Sequence, residues 1–416
     1  MDNSYNAQFI VAITWCLAWG EDVILRAGIT PDRLYQEIRE VVFEGKTPTG
    51  EVERFINLAK QLQDIPKDDF PENLSQLKAD YAELWKETAK VGLVYGGATK
   101  IKQYVFEAAK LPDIRGASAL LDRINLVDLP AFFGRDPDDE TRYHRLGTVD
   151  DWLDTNQFGA LKDALIPELI VYSTGGNILA FCPAAFVDKL ANAIEKRYTE
   201  ETLTANACAV GETFRPLEIR FGLLKDPIEN TFWLNKLQTD WNHNPVVRAY
   251  FGLPEPSGQS APDLQKAFAA RKNFNELVGK LATQFNLRRS GFDQDAERPS
   301  RRYPPMLETH PYLKRDDSDR SSAATQITEL PSRPWVSEAL ARKRRLGEVS
   351  KQESAAERGW YERIDSTWRI QAPESWVQKF EQFLERNQLV ESYDPKHQIF
   401  DKNKRLETFE NEKRDR

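Results

Sequence analysis

Gly96-Gly97, with Lys100 and Lys102 close behind, and Gly175-Gly176-Asn177 are the places where this chain could meet a phosphate. Glycine lets backbone N–H groups come close to an anion, and a nearby lysine adds charge. Most Gly-Gly turns after a strand only satisfy backbone geometry, so the pair alone is a weak signal for a ligand. Lys110 and Arg115 follow in the same stretch. Arg115 precedes the small-residue run Gly116-Ala117-Ser118-Ala119 and an apolar helix, and a cation at a helix N-terminus opposes the dipole. It therefore needs a partner, either a phosphate or a carboxylate such as Asp113 or Asp122. Metal chemistry is poorly provided for. His144, His243, His310 and His397 are scattered, and Cys16, Cys182 and Cys208 contain no CxxC pair, so no cysteine zinc site or disulfide framework is encoded.

The 416 residues, 40 % hydrophobic with ten Trp, suffice for two or three domains with real cores. A net charge of −8 excludes nucleic-acid binding through a bulk positive field and leaves only local patches. The apolar N-terminal run follows Asp2, lacks a basic flank and is cut by Gly20-Glu21-Asp22. It reads as a buried helix, with no membrane association and a cytoplasmic location expected.

Residues 1–88 read as a helical domain. "ITPDRLYQEIREVVFEG" has Thr30 as N-cap, Pro31 at the first position and Gly45 past the end, and "TGEVERFINLAKQLQDI" repeats a helical period. Residues 89–212 read as strand "VGLVY" closed by Gly96-Gly97, helix to about Phe133, a hairpin "ELIVYSTGGNILAFCP", helix "PAAFVDKLANAIEKRY" and strand "TLTANACAV". The fold class is α+β, a ferredoxin-like βαββαβ domain flanked by helical domains. Residues 213–285 read as helical, 286–350 as loop or partly disordered linker, and 351–416 as a C-terminal helical segment.

The run "GLVYGGATKIKQYVFEAAKLPDIRGASALLDRIN", followed by "LIVYSTGGNILAF", resembles the first palm domain of the large polymerase-like subunit of type III CRISPR effector complexes. The likeness covers about residues 88–350 and is closest to the III-B and III-D forms. It implies a particle containing guide RNA, target RNA, a 5′-handle-capping subunit, backbone subunits and small subunits. Catalytic palms of that family hold two metal ions on carboxylates at the first strand and hairpin turn. Here those places read Tyr95-Gly96-Gly97 and Gly175-Gly176-Asn177, and Gly-Gly-Asp-Asp occurs nowhere.

The family's His-Asp nuclease motif is also missing, since no histidine is followed by Asp. Where the family carries a zinc ribbon, the frame places Asp316, Asp319, Ser337 and Leu340 instead of cysteines. No cofactor is expected, with Mg and ATP arising only if another chain supplies a second palm. The resemblance implies a structural subunit, in a shortened or split form.

Arg288, Arg289, Arg301, Arg302, Arg342, Lys343, Arg344 and Arg345 are then candidate RNA contacts beside Lys100, Lys102, Lys110 and Arg115, with Tyr303 or Trp335 available to stack. The same runs also fit solvated linker charges. One alternative is half of a split cyclic-oligoadenylate synthase, with Gly96, Gly97, Gly175, Gly176 and Asn177 completing a composite nucleotide pocket. Another is a cyclase relative turned binding module outside defence.

Overall fold

The computed structural model describes residues 2–23, 25, 28–66, 74–86, 88–107, 110–134, 147–224, 234–256, 262–291, 325–326 and 335–349. In chain order the first elements are helices α1 (Asp2–Trp19), α2 (Pro31–Glu44), α3 (Gly50–Asp64), α4 (Leu74–Asp80) and α5 (Ala82–Trp85). Strand β1 (Val91–Thr99) leads to α6 (Ile101–Val105), α7 (Leu111–Arg123), a π-turn over Ile124–Asp128, α8 (Leu129–Ala131), α9 (Gly147–Thr155) and α10 (Leu161–Ala164). Strands β2 (Ile170–Thr174) and β3 (Asn177–Pro183), helix α11 (Val187–Thr202) and strand β4 (Asn206–Phe214) follow. The rest comprises α12 (Pro216–Phe221), α13 (Leu234–Asp240), α14 (Pro245–Phe251), α15 (Leu264–Arg271), α16 (Phe274–Ser290), β5 (Thr325–Gln326), β6 (Trp335–Val336) and α17 (Glu338–Val349).

The chain is mixed α+β and rich in helix, with one small four-stranded antiparallel sheet. It divides into two units, each discontinuous in sequence: residues 1–97, 129–196 and 208–300, and residues 98–128, 197–207 and 301–416.

The first unit holds most of the sheet, whose order is β2-β3-β1-β4. β3 pairs antiparallel with β1 (Val94 opposite Ala180) and with β2 (Thr174 opposite Asn177). The two residues between Thr174 and Asn177, Gly175 and Gly176, have φ of 64° and 85°. That is the signature of a two-residue type I′ hairpin, whose twist suits the flanking strands. By strand alternation Tyr95 and Phe181 share a face, and α16 covers it, with ring centroids 5.0 Å apart for Tyr95 and Phe285 and 5.9 Å for Phe181 and Phe274. On the opposite face Val187 lies against Gly92 and Gly211, where any added methyl would collide with it.

Helix α2 starts and stops where its sequence says. Thr30 Oγ1 accepts the Arg33 N–H, and Gly45 takes the left-handed conformation at φ 72°. The fully buried Trp15 of α1 donates its indole N–H to the Ala164 carbonyl at 2.8 Å, so this core aromatic leaves no unpaired donor.

The linker expectation for residues 286–350 is corrected at the described residues of that range. Helix α16 of the first unit runs through to Ser290, and in the second unit Trp335-Val336 pairs with Thr325-Gln326 and α17 occupies Glu338–Val349. Ser337 caps α17 by accepting the Leu340 N–H at 3.2 Å, and Leu340 is buried. Two positions of the ribbon-like frame are thus a helix cap and a core residue. Asp316, Asp319 and the expected helix in 351–416 lie outside the described residues.

Candidate functional site

The glycines that read as a phosphate turn are strand residues. β1 continues through Gly96 and Gly97 to Thr99, and the two glycines pair with Ile178 and Asn177. A Cβ on Gly97 would lie 2.1 Å from the Gly176 carbonyl oxygen and 2.8 Å from Asn177 Cα, and one on Gly96 would lie 2.4 Å from Ala209 Cβ. Neighbouring strands therefore occupy the space that glycine leaves. The close approach here is of backbone to backbone, and the expectation of a turn open to a ligand is corrected at Gly96 and Gly97. Gly175 and Gly176 serve the hairpin turn.

Arg288 is corrected likewise. It is 1 % exposed, and its Nε and Nη2 donate to Glu195 Oε1 and Oε2 at 2.6 and 2.8 Å. Glu195 Oε1 also accepts the Ala209 N–H of edge strand β4 at 2.8 Å. The forked guanidinium and this amide satisfy a carboxylate that would be costly to bury alone. Arg289, one residue on, is exposed.

In the second unit, most of the run Arg342–Arg345 is tied inward. Arg344 makes a bidentate pair with Asp113, Nε to Oδ1 at 2.8 Å and Nη2 to Oδ2 at 2.9 Å, and Asp113 is wholly buried. Lys343, 2 % exposed, donates to Glu107 at 2.7 Å and to the Tyr104 carbonyl at 3.1 Å, with its ammonium 4.0 Å from the Tyr104 ring centroid. Arg342 donates to the Glu200 and Glu201 carbonyls at 2.6 and 2.8 Å and to Glu338 at 2.6 Å. Arg345 is half-buried.

These pairs frame a close helix crossing. A Cβ on Gly116 of α7 would fall 1.6 Å from the Lys343 carbonyl oxygen, and one on Gly347 of α17 would fall 1.8 Å from that of Pro112. Each helix carries its glycine where the other's backbone passes. The "RGAS" run thus lies inside α7, which starts at Leu111 with Pro112 in its first turn, rather than ahead of a helix. Arg115 donates to the Gly347 carbonyl at 3.3 Å, so its partner is backbone and neither of the carboxylates expected.

A second buried cluster lies where the π-turn presents Asp128 inward. Arg197 donates to it at 2.7 Å and Arg123 at 3.3 Å, while Tyr198 donates to Asn125 at 3.2 Å. Burial alone would lower the Arg197 guanidinium, but Asp128 and Glu201 beside it outweigh that and hold it above its ordinary range. Burial pushes the Cys16 and Cys182 thiols up, leaving them unreactive protonated core residues.

Besides Arg289, three candidate cations keep their charge at the surface. Lys100, Lys102 and Lys110 are exposed, and no ion pair engages them among the described residues. Lys100 has φ 53°, a left-handed conformation uncommon outside glycine, at the junction of β1 and α6. Arg301, Arg302, Tyr303, His144, His310 and His397 lie outside the described residues. Trp335 is 41 % exposed, and His243 sits 3.8 Å from Asp240.

Sequence reasoning missed that Asp113, Glu107 and Glu195 absorb Arg344, Lys343 and Arg288, because each pair is far apart along the chain. It also missed an apolar crevice of about 340 Å³ in the first unit, lined by Phe9, Leu62, Val171, Phe181 and Phe274. Among the described residues no three His, Cys, Asp or Glu side chains converge as a metal site would need, and no helix is long and apolar enough to cross a membrane. No protein-family model matches the chain, and no curated protein matches it.

Proposed function

We propose that this chain is the structural large subunit of a type III CRISPR RNA-guided effector complex in the cytoplasm, assembling with guide RNA, target RNA, the 5′-handle-capping subunit, backbone subunits and small subunits. In this reading the chain order β1, α6–α8, β2, β3, α11 and β4 is that of a ferredoxin-like palm. The strand order β2-β3-β1-β4 is the one such a βαββαβ chain produces, and it supports the assignment.

The observation that carries the non-catalytic part is the meeting of Gly97 with Gly176 and Asn177. Two-metal nucleotidyl transfer needs carboxylates at that junction to hold the ions. This chain puts two glycines and an amide there, packed against one another, so the work left to the domain is shape and surface. The same packing disfavours the composite nucleotide pocket, whose phosphate would need the space that Ala209 and Gly176 fill.

The test is to tag the protein in its native host, purify it in moderate salt and sequence the accompanying RNA. Short RNAs sharing a repeat-derived 5′ end, recovered with several backbone subunits, are the expected result. A clean protein without RNA or partners overturns the assignment.

A further inference from the structure

We propose that Lys100, Lys102, Phe106 and Lys110 of the second unit are a contact for single-stranded RNA, with Phe106 as a stacking surface and the three lysines on the phosphates. The proposal rests on the RNA-guided reading above and assigns it a surface. Phe106 and Leu111 are each 66 % exposed, the most open large apolar side chains among the described residues. Lys102 and Phe106 stand four apart across α6, with the Phe106 N–H bonded to the Lys102 carbonyl at 3.0 Å, so both occupy one face of that turn. Lys110 is the residue that opens α7 and Lys100 the one that opens α6, and neither uses its side chain as a cap.

Charge accounting within the segment favours a polyanion over a protein surface. Glu107 is the one acid between Lys100 and Pro112. Its carboxylate is already held by Lys343 at 2.7 Å and by the Thr204 hydroxyl at 3.2 Å. The three lysines therefore face outward uncompensated, on a chain whose net charge is −8. Exposed aromatic rings interleaved with such lysines are how single strands are held without base-specific hydrogen bonds, since every base offers a π-face and every nucleotide a phosphate. The buried Lys343 secures the acid that would otherwise neutralise this patch.

The experiment uses the full chain and a fluorescent 20-nucleotide oligouridylate, with affinity measured across salt concentrations. A variant carrying Lys100→Ala, Lys102→Ala and Lys110→Ala is expected to bind at least tenfold more weakly, and its log–log salt dependence is expected to be shallower by about 2, from three lost phosphate contacts. Phe106→Ala is expected to lose about tenfold in affinity with its salt slope unchanged, as loss of one stacked base predicts. Circular dichroism confirms that both variants remain folded. Wild-type protein that ignores the oligonucleotide, or variants that bind as wild type does, overturns the proposal.

Purification of the triple-lysine variant from the native host separates the two readings. Absence of guide RNA even with the wild type sinks the RNA-guided assignment itself. Guide RNA retained equally by wild type and variant sinks only the patch, as does a variant that keeps its RNA but loses a protein subunit.

Discussion

Lys100–Leu111 and Arg342–Arg345 are both basic stretches, and in the folded chain they do opposite work. In the later run Arg342, Lys343 and Arg344 meet carbonyls, carboxylates and an aromatic ring, and Lys343 and Arg344 are buried. The earlier stretch leaves its three lysines and its phenylalanine open to solvent. Cation density alone therefore says little about ligand binding. What separates them is the supply of acids: Glu107 lies on the earlier stretch and Asp113 just beyond it, while their partners Lys343 and Arg344 lie on the later one.

Arg344→Ala gives the largest expected effect, because it strands the buried Asp113 carboxylate. A loss of about 3–5 kcal/mol is expected, read as faster hydrogen exchange across α7. Were the run an exposed RNA-binding face, the same change would move stability by less than about 0.5 kcal/mol.

Gly116→Ala comes next, at roughly 1–3 kcal/mol, since the new methyl meets a carbonyl oxygen and the two helices must part. Its control is Gly279→Ala in the middle of α16, where nothing lies within 4 Å of the added carbon. There a gain of about 0.4–1 kcal/mol is expected from helix propensity and a stiffer unfolded chain, measured by urea denaturation. Equal effects at the two glycines would remove the argument for a backbone crossing.

The smallest expected effect concerns pH. Burial raises the Glu168 carboxyl above its ordinary range, although Arg39 and Tyr35 pull the other way. Its contribution to stability is then present below the unfolded carboxylate value and is lost as pH rises through the raised folded value. Glu168→Gln should flatten the fall in stability that begins as pH rises above the unfolded carboxylate value. An unchanged slope would mean that the Arg39 pair fully offsets burial.

Local features were legible in the sequence wherever the deciding residues sit together. Thr30, Pro31 and Gly45 bound α2 as read, and Gly175-Gly176 form the hairpin turn. Features decided at long range were not. Helix α17 hides from a periodicity search because Lys343 and Arg344 occupy core positions that apolar residues normally mark, and they are tolerated there only because Glu107 and Asp113 arrive from another part of the chain. Gly96-Gly97 looked like a turn since glycine usually marks one, whereas the strands on either side require its missing side chain. The carboxylate reading of Arg115 looked to Asp113 or Asp122 nearby in sequence, whereas Arg115 bonds the Gly347 carbonyl, 232 positions away.

The crossing of α7 and α17 joins residues 231 positions apart, as the Arg344–Asp113 pair measures. On a ribosome adding about 5–20 residues per second, α7 emerges on the order of ten seconds or more before its partner exists. During that interval the Gly116 groove and the Asp113 carboxylate have nothing to meet, so the second unit cannot close as the chain grows. A nascent chain halted before Glu338 would hold its first unit's elements through Ser290 while α7 still waited, which makes the arrival of one short basic helix the step that gives α7 its partner.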